Sequence, residues 1–365
     1  KTKRVNNMTT GQIYQSVINR ERAGEYLGAT VQIIPHITDE IKARIRKGVS
    51  ENNADIGIIE IGGTVGDIES QPYLEAIRQM AHEQPKDCMF VHLTLVPYLE
   101  SSMEFKTKPT QHSVQELRRI GIQPDVLILR SEKILSKEIK QKIALFCNVQ
   151  PNCVISNYNM PNLYELPAHF KFRQLDNIIM QRLRLKKRKD TFTVWEQMVK
   201  NIKTINREIT ILIAGKYVKL PDAYKSLISA VQDAGYANNI KVNIRWVESE
   251  TLIEQPVLES AFKDVGAVIV PGGFGIRGIE GKLKAIKFAR ENKIPFLGIC
   301  LGMQCAVIEF ARNVLNLKDA SSTEFDEHTK NPVVHILPNQ DLKKIGGTMR
   351  LGNWECKITK NSLAY

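Results

Sequence analysis

The sequence predicts an α/β protein of two doubly wound parallel-sheet domains, and three observations carry that expectation. Short apolar runs alternate with amphipathic helical patterns along most of the chain, as in strands joined by crossover helices. Several of these runs end in glycine-rich or acidic turns, where an open parallel sheet binds its ligands. A basic run, residues 182–189, holds six Lys or Arg in eight positions and falls where one such series stops and another begins.

In chain order, Thr10 is placed to cap a helix whose Ile13, Tyr14, Val17 and Ile18 share a face, with Gly24 and Gly28 closing it. Residues 30–35 read as a strand, and Thr38-Asp39 open a second helix. Residues 54–60 read as a buried strand ending on Glu60 and followed by Gly62-Gly63-Thr64-Val65-Gly66-Asp67-Ile68-Glu69. Glu60, Asp67 and Glu69 would then gather at a sheet's carboxyl end, where a carboxylate suits Mg²⁺ held beside substrate phosphates. The plainer alternative is acids opening the helix of Leu74, Ile77 and Met80.

Residues 91–96 read as the next strand, followed by Phe105-Lys106-Thr107-Lys108-Pro109-Thr110-Gln111-His112. Pro109 biases Lys108 toward extended backbone, which would turn Lys106 and Lys108 to one side. Ser113 and Glu116 match a capping box for the helix of Val114, Leu117 and Ile120. Two aligned lysines ahead of a helix start fit a triphosphate clamp, against the alternative of a solvated loop. Residues 123–130 and 153–156 read as strands around a Ser136-capped helix that carries Lys142.

After the basic run, Trp195 and Val199 mark a short helix. Strands are expected at 209–214 and 240–247, around a helix at 223–233. Residues 265–270 form an apolar strand ending in Pro271-Gly272-Gly273-Phe274-Gly275, whose glycines let backbone N–H groups face a ligand, as an oxyanion hole requires. Residues 294–304 run from a strand through Gly298-Ile299-Cys300-Leu301-Gly302 into a helix. This is a nucleophile elbow with cysteine in place of serine. The helix beginning at Leu301 aims free N–H groups at the sulfur. Cys305, five residues on, reads as a buried structural thiol.

With 365 residues, 43% of them hydrophobic, the chain has material for two cores. Its net charge of +12 suits polyanionic partners, without separating nucleic acid, anionic membrane and nucleotide triphosphates. The six cysteines show no metal-site spacing, and dispersed thiols fit a reducing compartment. No apolar run approaches the roughly 18 residues of a membrane span. His36, His92, His112, His169, His328 and His335 have no metal spacing either and read as structural.

The strand ending in PGG and the G-x-C-x-G elbow together resemble the class I glutamine amidotransferase family. N-N-x-T-T-G-Q-I-Y, E-I-G-G-T-V-G-D-I-E-S, K-T-K-P-T-Q-H-S-V, K-I-A-L-F-C-N-V, P-G-G-F-G-x-R-G-x-E-G, L-G-I-C-L-G-M-Q and G-G-T-M-R-L-G, in that order, resemble the CTP synthase family over nearly the whole chain. The resemblance implies a P-loop-like amidoligase domain at 1–185, a basic linker at 186–207 and an amidotransferase domain at 208–365. It implies ATP-dependent amination of UTP to CTP: ATP phosphorylates the uracil O4, and ammonia from glutamine, reaching it through an internal tunnel, displaces the phosphate.

By motif, the resemblance makes Cys300 the nucleophile. Gly273 and Leu301 become oxyanion donors, and with Gln304 and Glu324 they bind glutamine. Asp67, Ile68 and Glu69 become contacts for inhibiting CTP. Lys106, Thr107, Lys108, Pro109, Thr110, Gln111 and Lys142 become the UTP/CTP site, and Glu60 an Mg²⁺ ligand. Tyr158 and Met160 fall where the family touches adenine, without a diagnostic motif. GTP as allosteric activator, CTP as feedback inhibitor, a homotetramer and a cytoplasmic setting are also implied, with neither nucleic acid nor membrane as partner.

The family's phosphate loop and a metal-binding Asp are expected upstream of Lys1. The His and Glu completing the cysteine triad, and an Arg for the glutamine carboxylate, are expected beyond Tyr365. Residues 338–344 look shorter than the family's loop. Among rival readings, Gly273–Gly278 fits G-x-G-x-x-G, but a strand stands where a dehydrogenase would place its ribose-binding acid. Another amidotransferase-coupled ligase and a non-catalytic scaffold remain as alternatives. The K-T-K-P-T-Q segment speaks against the first, and Cys300, Glu60 and the lysine pair against the second.

Overall fold

The computed structural model describes residues 3–186, 189–216, 218, 221–336 and 357–362. The chain divides into two compact units, Lys1–Val199 and Lys200–Tyr365.

The first unit opens with α1 (Thr10–Arg22), α2 (Thr38–Glu51) and α3 (Gln71–Glu83). Thr9, one residue before the expected cap, accepts from Gln12 N while the Gln12 side chain returns to Thr9 N. Ile13 and Val17 of α1 bury against Ile41 and Ile45 of α2 and Ala76 of α3. Then come β1 (Val91–Leu95), the short antiparallel pair β2 (Tyr98–Leu99) and β3 (Glu104–Phe105), and α4 (Lys108–Arg119). β4 (Val126–Ser131), α5 (Lys137–Cys147) and β5 (Val154–Tyr158) follow, then α6 (Leu166–Phe172) and α7 (Leu175–Arg182), and α8 (Thr193–Lys203) runs across the boundary into the second unit. The sheet is parallel in the order β1-β4-β5, with Val91 opposite Val126 and Leu127 opposite Val154. Its core joins Leu127 and Leu129 to Val114 of α4 and Ile143 and Cys147 of α5. Ser136 caps α5 through Ile139 N, as expected.

Two expected strands do not form. Residues 30–35 lead into a short, wide helical turn, Ile33–Ile37, with Ile33 and Ile34 exposed. Pro35 has no N–H to give a ladder, so an apolar run there does not make a strand. Residues 54–60 are irregular, and Ile58 is 96% exposed. Among the described residues β1 pairs only with β4, and residues 54–60 do not pair with its other edge.

The second unit runs β6 (Glu208–Gly215), α9 (Lys225–Ala237), β7 (Lys241–Glu248), α10 (Gln255–Phe262) and β8 (Ala267–Val270). It continues through α11 (Ile279–Glu291), β9 (Phe296–Gly298) and α12 (Leu301–Asn313) to a two-strand pair, β10 (Ala320–Ser322) and β11 (Asn331–Val334). The main sheet is parallel in the order β7-β6-β8-β9. The chain leaves β6 toward β7 and returns on the other side at β8, so the order reverses between β6 and β8. The crevice outside such a reversal is where ligands bind in open α/β sheets. Leu212, Val268 and Val270 form the core with Leu283 and Ile286 of α11 and Leu301, Cys305 and Ile308 of α12. The G-G-T-M-R-L-G motif and residues 338–344 lie outside the described residues.

Candidate active site

β8 and β9 run side by side, with Val270 opposite Gly298, and Ile299 N donates to Val270 O at 2.9 Å. One residue later the backbone at Cys300 adopts φ 51°, ψ −111°. A side chain there is strained, and the turn throws Cys300 out, exposed, ahead of α12. The flanking glycines are a packing requirement. A Cβ on Gly302 would lie 1.9 Å from Val270 O, and one on Gly298 would lie 2.6 Å from Gly302 C. The strand–cysteine–helix elbow is therefore present as expected.

The turn after β8 lies against it. A Cβ on Gly272 would sit 3.4 Å from Cys300 Cβ, and one on Gly273 would sit 3.4 Å from Leu301 Cδ2. Gly273 and Leu301 are thus brought together beside the thiol. Leu301 opens α12, where the first N–H groups have no intrahelical acceptor. No hydrogen bond among the described residues takes the N–H of Gly272, Gly273 or Phe274. Gln304 N donates to Cys300 O one turn on. Glu324 Oε1 accepts Gly275 N–H at 2.9 Å, which places this carboxylate at the same loop.

Sequence reasoning passed over two lysines here. Lys216, directly after β6, is buried and donates to Phe274 O at 2.7 Å and Gly275 O at 2.6 Å. Lys282, on the first turn of α11, is 0% exposed and donates to Pro271 O at 3.4 Å. Burial pushes its ammonium down to about 8 and pushes the Cys305 thiol up to about 11. The available signal was a charged residue on an otherwise apolar helix face, at the register of Ile279, Leu283 and Ile286.

In the first unit, α4 begins at Lys108, five residues before Ser113, with Pro109 in its first turn. The bias of Pro109 against a helical Lys108 is overridden, because its own fixed φ suits a helix start. Ser113 Oγ lies instead 2.9 Å from His92 Nε2, inside the unit. Lys106 stands in the extended segment after β3 and Lys108 on the helix, so the two do not share one strand face. Thr107, Thr110 and Gln111 are buried, Gln111 Nε2 bonding Thr107 Oγ1 and Thr110 Oγ1 bonding Thr94 Oγ1.

Lys106 pairs with Glu104, whose carboxyl is held below its usual range by that ammonium first and also by Lys142. Asp67 accepts Thr64 N–H at 2.8 Å within its own loop, while Ile68 and Glu69 are exposed. No hydrogen bond or ion pair among the described residues joins residues 67–69 to the lysines. Tyr158 ends β5 opposite Ser131, its ring edge-on to His169 at 5.3 Å, with Met160 just beyond. Both stand at the carboxyl end of the sheet, the end from which the segment carrying Lys106 departs. Glu60 is exposed, and no group of three His, Cys, Asp or Glu among the described residues could hold a metal.

A strained cysteine at a parallel strand's end, beside a glycine turn whose N–H groups have no acceptor among the described residues, is the arrangement expected of a class I glutamine amidotransferase. Residues 219–364 match the family described as Glutamine amidotransferase class-I, and residues 1–185 match CTP synthase N-terminus. The CTP synthase of Clostridium acetobutylicum is 54% identical over 98% of this chain and 67% of its own length. Those of Clostridium kluyveri and Thermus thermophilus are each 53% identical over 99% of this chain, and over 68% and 66% of their own lengths. The chain belongs to the CTP synthase family.

Proposed function

We propose that this chain carries both half-sites of a glutamine-hydrolysing C–N ligase that converts UTP to CTP with ATP in pyrimidine synthesis. The observation that carries the reading is the Cys300 elbow against the Gly272-Gly273 turn, in one polypeptide with the K-T-K-P-T-Q segment. Cys300 attacks the glutamine side-chain carbonyl. A C–S bond forms, the π pair moves to oxygen, and the N–H groups of Gly273 and Leu301 receive that charge. Collapse breaks the C–N bond and releases ammonia once the nitrogen takes a proton, and water then frees glutamate from the thioester. Gln304 and Glu324 orient the glutamine.

In the first unit, Lys106, Lys108 and Lys142 hold the UTP triphosphate, and buried Thr107, Thr110 and Gln111 fix the backbone that carries the first two. Asp67, Ile68 and Glu69 belong to inhibition by CTP, and Tyr158 and Met160 to the ATP base. Glu60 offers a single carboxylate. The described residues do not assemble an Mg²⁺ site around it. GTP activation, a homotetramer and a cytoplasmic location complete the reading, the last supported by the free thiols.

The full-length protein, incubated with UTP, ATP, Mg²⁺ and glutamine, is expected to form CTP; absence of product would remove the reading. Each lysine–phosphate contact is worth roughly 1.5–3 kcal/mol. Lys106→Ala should therefore raise the UTP KM about 10- to 150-fold and leave glutamine hydrolysis intact.

A further inference from the structure

Lys216 and Lys282 serve nothing in the chemistry above, yet both are buried beneath its most sensitive part. They come from separate elements, Lys216 from the end of β6 and Lys282 from α11, and converge on one five-residue turn. Lys282 Nζ takes the carbonyl of Pro271, and Lys216 Nζ takes those of Phe274 and Gly275. Arg277 Nη2 holds Lys216 O at 3.0 Å, and the Tyr224 hydroxyl accepts Lys216 N–H at 3.1 Å, so Lys216 is fixed at its own backbone. The other side of the turn is left open: the N–H groups of Gly272, Gly273 and Phe274 have no acceptor among the described residues.

We infer that Lys216 and Lys282 are positioning residues that hold the carbonyls of Pro271, Phe274 and Gly275 inward and so pin both ends of the turn whose middle carries the Gly273 N–H. The inference rests on the amidotransferase reading. The anchored planes carry the N–H groups of Gly272, Gly275 and Ile276, so the two planes between them, which carry the N–H groups of Gly273 and Phe274, are restrained from both sides against turning a carbonyl toward the substrate, where it would repel developing negative charge. Donors already in place need no reorganisation when the charge appears.

The cost of Lys282 argues for such a role. An ammonium has three donors, and this one spends them on a single long hydrogen bond in a 0% exposed position. Cys305, its buried neighbour, stays a neutral thiol because burial holds it at about 11. No carboxylate among the described residues pairs with Lys282. A methionine would fill the same space without the desolvation cost.

Lys216→Met and Lys282→Met, made separately in the full-length enzyme, test the inference. Glutaminase kcat is expected to fall about tenfold or more for each, short of the ~10²–10³ lost when an oxyanion donor itself is removed. Affinity for an aldehyde analogue of glutamine, whose adduct with the cysteine places a tetrahedral oxygen in the same hole, should fall in parallel. Alkylation of Cys300 by iodoacetamide, a displacement that builds no oxyanion, should stay within about twofold of wild type. Wild-type kcat in both variants would overturn the inference, and so would kcat and alkylation falling together, which would mark collapse of the elbow. Should Lys282→Met fail to fold by circular dichroism, Lys216→Met decides alone. Wild-type enzyme that hydrolyses no glutamine, or does so equally well after Cys300→Ala, would instead overturn the amidotransferase reading itself.

Discussion

At Lys282 stability and function pull in opposite directions. Burial holds its pKa at about 8 against an ordinary 10.5, so between those values the folded protein binds fewer protons than the unfolded chain. Stability then rises with pH across that window, and the full penalty, on the order of 3 kcal/mol, is present below about 8. Cys305, pushed up to about 11, and Lys216, pushed down by burial, are the neighbouring groups that also titrate toward alkaline pH. Comparison with Lys282→Met isolates the one lysine. The variant should melt at higher temperature than wild type near pH 7, and the gap should close as pH approaches 10. A variant that melts lower at pH 7 would show that the ammonium contributes stability, contrary to the desolvation argument.

At the scale of the element, the elbow tolerates no added atoms. Gly302 lets α12 approach β8 so closely that a methyl group would overlap the Val270 carbonyl, at 1.9 Å. The overlap is with backbone, which cannot swing aside like a flexible side chain, so helix or strand must move. Overpacking of this kind costs about 1–3 kcal/mol and occasionally more. Gly302→Ala should lower thermal stability and abolish glutamine hydrolysis while the UTP-binding unit keeps its affinity, as measured by calorimetry and direct UTP binding. Full glutaminase activity in a folded Gly302→Ala protein would mean the turn is not shaped as described. This element was legible in the sequence because everything it needs is local: glycine, cysteine, glycine and the flanking periodicities. The run at 54–60 was not. Its Ile56, Ile58 and Ile59 spell a strand, but whether such a run becomes one depends on packing against same-face and cross-strand neighbours, which no local pattern reports. The start of α4 misled for a different reason. Pro109 both discourages helix at Lys108 and favours a helix first turn, and only the packing of Thr110 and Gln111 into the unit decides between them. Lys216 and Lys282 were missed because charged residues are read as surface until burial shows otherwise.

For the whole molecule, the question is whether the two units do separable chemistry. Each has its own parallel sheet and its own core. The candidate nucleophile lies in the second unit and the candidate phosphate-binding lysines in the first. If Cys300 only makes ammonia, removing it should silence one reaction and spare the other. Cys300→Ala deletes the nucleophile and keeps a small side chain at the strained position. Loss of a covalent nucleophile costs on the order of 10⁴–10⁶ in kcat, so glutamine-dependent CTP formation should fall to background. CTP formation from UTP, ATP and added ammonium salt should persist near the wild-type rate, because free ammonia bypasses the second unit. Cys305→Ala, at a buried thiol that only fills the core, is the control for a generic cysteine effect and should leave both activities largely intact. Loss of ammonia-supported synthesis in a folded Cys300→Ala protein would place this cysteine in the UTP reaction itself. Retention of glutamine-dependent synthesis would leave the elbow with no part in making ammonia, and the division of labour between the units would fall with it.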